Sequence, residues 1–181
     1  EYFNLVAEGI AWLPDKGLNV PLTVKQGSSS PTPAPTPGTP GGGIPPNTAW
    51  SVTGDQFASC TVLGTTGQGC VKDTVEGYVA SSWTYKVEYR TSDLPSGTYN
   101  LVVGYKNVWG ALPDGYAYQV KVRVNGGSST TLAMDGDAAV AALPNLQLSG
   151  VDTISLEWTN DHWVPNTTDA NLAITSVELQ R

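Results

Sequence analysis

The chain has 181 residues, 40% of them hydrophobic and 14% charged, against roughly 25% charged in an average soluble domain. With Trp 6 and Tyr 8 to bury, disorder throughout is excluded, and no run reaches the roughly 18 apolar residues of a membrane span. A net charge of −7 and a single histidine argue against a nucleic-acid surface, an anionic membrane surface or a His-rich metal site.

The chain begins at Glu1 with no basic-then-apolar leader, which reads as a mature or trimmed product whose export signal is gone. Residues 1–27 place Glu1 to Leu13 before the turn signature Pro14-Asp15-Lys16-Gly17. After it, Leu18, Val20, Leu22 and Val24 alternate with polar or turn residues. Period-two alternation after such a turn predicts a β-hairpin. A lone hairpin is marginally stable in water, and this one would expose Tyr2, Phe3, Leu5, Trp12 and Leu18. Its cover is an upstream domain, the main domain, or a neighbouring copy of the chain to which it lends a strand.

Residues 28–46 contain seven prolines among Ser, Thr and Gly. Each proline removes an amide donor and fixes φ, so neither helix nor sheet ladder forms. An extended polyproline II linker is expected, with threonines that suit O-linked sugars.

From residue 47 the chain reads as a single all-β domain. Cys60 and Cys70 bracket a Gly/Thr-rich stretch. The spacing fits a local disulfide of an extracellular protein, worth about 2–3 kcal/mol in the chain-entropy account; the alternative is two reduced thiols in a cytosolic one. Trp83, Tyr85, Val87 and Tyr89 then alternate with polar residues. A Leu94-Pro95-Ser96-Gly97 turn leads into Tyr99, Leu101, Val103 and Tyr105. Tyr116, Tyr118, Val120, Val122 and Val124 form the next stripe, and Asn125-Gly126-Gly127 supplies a hairpin turn. Strands follow at Thr130–Met134, Leu146–Leu148, Ile154–Trp158 and Leu172–Gln180. The apolar parity of the last shifts between Ile174 and Val177, which predicts a bulge. Ala138 to Leu143 reads as a short turn at most. Strands every 10 to 15 residues predict a β-sandwich, and the Cys60–Cys70 and Ala111–Gly115 loops belong at its ends or edges.

Particular residues carry a resemblance. Gly77-Tyr78-Val79, Trp83 to Tyr89, Ser96-Gly97-Thr98-Tyr99 and Val122 to Gly127 resemble strands of jelly-roll carbohydrate-binding modules. The stretch from Leu148 through Trp158-Thr-Asn160-Asp161, closed by Asp169-Ala-Asn171-Leu172, is similar to the ending of calcium-dependent xylan-binding modules and their galactose-binding-like relatives. The resemblance spans residues 47–181 and none of the first 46. It implies a jelly roll, a non-catalytic role and Ca²⁺ near the last two strands. Carried onto this chain, the ligands are Asp161 and Asp169, with Asn160 and Asn171 as secondary positions. Ca²⁺ takes six to eight oxygens, and the intervening loop, His162 to Thr168, holds no further acid. The alternative role for these residues is to hold the loop through Asx-type turns.

Sugar contact needs a flat aromatic face in a loop; Trp109, Tyr116 and Trp163 qualify, the alternative being that they cap the core. Asn166-Thr167-Thr168 is an N-glycosylation sequon in the same loop. For catalysis, Glu157 and Asp161 are the acids to weigh, but Glu157 falls on the face opposite Leu156 and Trp158, and a glycosidase pair must straddle a cleft. No Ser/His/Asp arrangement surrounds His162.

The reading is therefore a non-enzymatic extracellular module that binds a plant-type or cell-surface polysaccharide, with Ca²⁺ as its cofactor. The alternative is a subunit of an extracellular filament assembled by strand donation from residues 1–27.

Overall fold

The computed structural model describes residues 47–136 and 139–181, together with the backbone of two short strands, β1 (Val6–Ala7) and β2 (Ala11–Trp12). The chain divides into two units, Glu1–Gly41 and Gly42–Arg181. In the first, β1 and β2 pair antiparallel with Val6 opposite Trp12. The expected Pro14–Gly17 turn, the strand after it, the strand-donation surface and the linker at 28–46 lie outside the described residues.

The second unit is a sandwich of two antiparallel sheets. One runs in the order β10 (Thr130–Asp135), β9 (Ala117–Val124), β12 (Thr153–Trp158), β7 (Tyr85–Arg90), β4 (Ser59–Val62). The other runs β11 (Val140–Gly150), β8 (Leu94–Asn107), β15 (Leu172–Gln180), β6 (Tyr78–Ala80), β5 (Val71–Asp73). β15 is long enough to serve two neighbours on one side. Its Ala173 and Ile174 pair with β6, and its Ser176 to Gln180 pair with β3 (Thr48–Thr53). A small hairpin, β13 (His162–Val164) with β14 (Thr168–Ala170), stands outside both sheets.

Alternation builds the core directly, because successive side chains of a strand point to opposite faces. Tyr85, Val87 and Tyr89, then Tyr118, Val120 and Val122, then Ile154, Leu156 and Trp158 are buried from the first sheet. Leu101, Val103, Tyr105, Ile174, Val177 and Leu179 meet them from the second. Buried tyrosines need partners for their hydroxyls. Tyr85 donates to the Leu172 carbonyl at 3.1 Å, Tyr89 to Gly54 at 2.9 Å and Tyr105 to Asp135 at 2.7 Å. Burial raises the pKa of all three. Edge-on contacts of Tyr85 and Tyr118 with Trp158, at 6.2 and 5.8 Å between ring centres, knit the end of the core beneath the loops.

The expected bulge is present: the β15–β8 register shifts between Ile174 and Ser176. Two expectations need correcting. Residues 140–143 belong to β11, paired with Val102–Gly104 and Leu101 of β8, rather than to a turn. Ala-rich, weakly alternating sequence hides an edge strand whose pairing comes from its neighbour. Trp83 precedes β7 and is 47% exposed, so it extends the stripe in sequence only. Cys60 and Cys70 form a disulfide with Cα atoms 6.2 Å apart. Because Cys60 lies in β4 and Cys70 abuts β5, the bond joins the edges of opposite sheets.

Candidate functional site

Strand ends at Trp158, Asn107, Ala117 and Leu172 gather at one end of the sandwich, so the 108–116 and 159–171 loops lie side by side. Backbone bonds stitch them together. Val108 N–H donates to the Asn171 carbonyl at 3.0 Å, and Asp169 N–H donates to Ala111 at 2.8 Å. Asn107 adds a side-chain clamp: its Oδ1 accepts the Asn171 N–H at 2.8 Å and the Tyr118 hydroxyl at 2.7 Å, while its Nδ2 donates to Gly110 at 2.6 Å. The approach is close enough to require glycine. A Cβ on Gly110 would stand 2.5 Å from the Asp169 carbonyl oxygen and 2.6 Å from its Cβ.

Asn160 is a post on which the second loop is hung. Its Oδ1 accepts the Gln119 N–H at 2.6 Å and the Trp158 indole at 3.1 Å, and its Nδ2 donates to Ala117 at 2.8 Å. The amide is thus spent within the fold. The Tyr116 hydroxyl donates to the Asn160 carbonyl, and the Tyr116 ring lies against Tyr118 and His162. Burial raises the pKa of Tyr116. Tyr116 is half-buried in this cluster, whereas the two tryptophans stand out of it.

Trp109 is 50% exposed and Trp163 66%. Trp109 takes φ 60°, the left-handed region, at a cost of about 1–3 kcal/mol for a residue other than glycine. A bulky side chain held so, in a loop tied down on both sides, is the kind of local strain that clusters at binding sites. Beside Trp163 lies a shallow groove of about 250 Å³, bordered also by Asn166, Thr168 and Asp169 and, from the other loop, by Gly110 and Ala111, the residues that follow Trp109. It falls below the ~300 Å³ at which enclosed small-molecule pockets begin, so a ligand would lie across it. Trp83, in the β6–β7 loop at the same end of the sandwich, is another exposed tryptophan. Its strand-like parity concealed it, and its position immediately before the β7 pairing with β4 and β12 is a tertiary fact.

Asp161 immediately precedes β13, and Asp169 lies in the middle of β14, paired with Trp163. Partial burial raises the pKa of Asp161, and the charge of Asp169 raises it further, against the lowering effect of the His162 N–H. The two carboxylates therefore feel one another. Asn171 is 1% exposed, with neither its side-chain oxygen nor its nitrogen hydrogen-bonded. His162 Nε2 lies 3.1 Å from the Thr168 hydroxyl. Glu157 stands on the outer face of its sheet, 3.9 Å from Lys121. Among the described residues no three acidic, His or Cys side chains converge as a metal cluster.

No protein-family model matches the sequence, and no curated protein matches it. Solved structures do resemble the fold. A family 35 carbohydrate-binding module from Clostridium thermocellum superposes with TM-score 0.52 at 16% identity, over 74% of this chain and 100% of that one. A family 36 module solved with calcium and xylotriose gives 0.47 at 16%, over 72% and 99%. A mannanase of Podospora anserina that carries a family 35 module gives 0.48 at 20%, over 74% of this chain but 28% of that one. The chain thus spans about a quarter of the mannanase. The fold is the jelly roll of carbohydrate-binding modules.

Proposed function

We propose that residues 47–181 form a non-catalytic module of an extracellular protein that binds a polysaccharide at the loop end of the sandwich. The observation that carries the reading is a pair of exposed tryptophans on two loops bound to each other, one of which, Trp163, borders a shallow groove. Flat apolar faces beside the Asp169, Asn166 and Thr168 side chains match the two surfaces of a sugar, its C–H face and its hydroxyl rim. Retention on xylan, mannan and cellulose columns tests it. Trp109→Ala and Trp163→Ala are each expected to weaken binding about thirtyfold, the ~2 kcal/mol of an aromatic hot spot. Equal retention of both variants and the parent, or none by the parent on a broad glycan panel, overturns the reading.

Calcium fits this corner in kind. Asp161 and Asp169 supply hard oxygen donors whose mutual repulsion a cation relieves, and the unpartnered Asn171 oxygen is a third candidate. Asn160, with its amide already committed, supports the loop instead of donating to the ion. When bound, the ion would offer open coordination positions to sugar hydroxyls. Adding calcium to chelator-treated protein is expected to raise Tm in the parent and not in Asp161→Asn; an identical response in both excludes Asp161 as a ligand.

A further inference from the structure

Asn166 sits at the tip of the β13–β14 hairpin, exposed, with φ 57°. The Thr167 N–H donates to the Val164 carbonyl at 3.1 Å. Pro165 in second position and a positive φ in third are the pattern of a type II turn, where Asn and Gly are the residues that fit. The sequon Asn166-Thr167-Thr168 therefore falls on a protruding turn, with its acceptor amide in solvent. Asn166, Thr167 and Thr168 also border the groove beside Trp163. One lip of the candidate sugar site is thus itself a signal for attaching a sugar.

We propose that Asn166 is an N-glycan acceptor and that the attached glycan closes the groove to external polysaccharide. The second half rests on the carbohydrate-binding reading above. In the transfer, Asn166 Nδ2 bonds to C1 of the first sugar of a lipid-linked pyrophosphate oligosaccharide. The C1–O bond to pyrophosphate breaks, the lipid pyrophosphate leaves with the electron pair, and Nδ2 releases one proton. In the folded hairpin the Thr168 hydroxyl of the sequon lies 3.1 Å from His162 Nε2. After folding, a glycan rooted in the groove's own wall is a tethered ligand, present at an effective concentration of order mM without any diffusion. It competes for the Trp163 face and blocks the groove by bulk as well. Glycosylation state becomes the switch between a binding and a masked module.

The test is secretion of the full chain from a host whose secretory pathway N-glycosylates, beside the same chain from a host that does not. Intact mass is expected to show one N-glycan, lost in Asn166→Gly, a variant that suits the turn. On the xylan, mannan and cellulose columns the glycosylated chain is expected to bind about tenfold more weakly than the unmodified one. Enzymatic removal of the glycan restores retention. No added mass at Asn166 overturns the acceptor assignment. Equal binding by modified and unmodified protein overturns the masking. Added mass with no binding by either form supports the acceptor and overturns both the masking and the carbohydrate reading, so the failures are told apart.

Discussion

Asp161 shows how a single residue can oppose the fold that carries it. Its folded-state pKa lies above the ordinary carboxylate value, because of burial first and the Asp169 charge next. By linkage, a raised carboxylate favours folding below its unfolded pKa, and that contribution is lost as pH rises through the folded value. At neutral pH without calcium it is therefore a small liability, reduced by solvent screening because Asp161 is exposed. Asp161→Asn is expected to raise Tm at pH 7 in chelator and to leave it nearly unchanged at pH 3; a fall at pH 7 would show that the charge is otherwise compensated. Asn160 is the opposite case, since all of its hydrogen-bonding serves structure. Asn160→Ala leaves the Gln119 N–H and Trp158 indole without their acceptor, costing about 1–3 kcal/mol each where they are buried, and calorimetry is expected to register a clear loss of Tm. Both residues were visible in the sequence as members of one acidic-amide cluster. Their division into charge and post was not, because it depends on which backbone groups of β9 lie opposite.

At the scale of elements, the site exists because two loops lock. Gly110 permits the contact, and any side chain there collides with backbone and Cβ of Asp169. Gly110→Ala is expected to separate the loops, lowering glycan retention and loosening amide-exchange protection at Asp169, with the core strands protected as before. The disulfide acts on a different pair of elements. It closes a ten-residue separation while joining sheet edges, so Cys60→Ser with Cys70→Ser is expected to cost about 2–3 kcal/mol in denaturant unfolding. A local loop clasp was legible from the spacing; its role as a staple between sheets was not. The same contrast runs through β11, where the Val140–Leu143 pairing is dictated by β8, whereas β7, β9 and β12 declare themselves by strict alternation.

For the whole chain, the second unit carries its own core, two sheets and disulfide within residues 42–181. A fragment of residues 47–181 is expected to unfold cooperatively and to retain the glycan binding of the full chain. Loss of folding in that fragment would mean that the first 46 residues complete the sandwich.

The amino-acid order alone determined the all-β class, most core strands, the bulge in β15 and the loop that bears the acids, Trp163 and the sequon. These are local properties: side-chain parity, turn chemistry and composition act within a few residues of themselves. Tertiary structure alone decided that Trp109 faces solvent beside that loop, that Trp83 shares the same end, that Asn160 is bound up and Asn171 is not, and that Asn166 borders the groove. Each of those facts depends on groups far apart in the chain, brought together by strand pairing and loop packing that no short window of residues specifies.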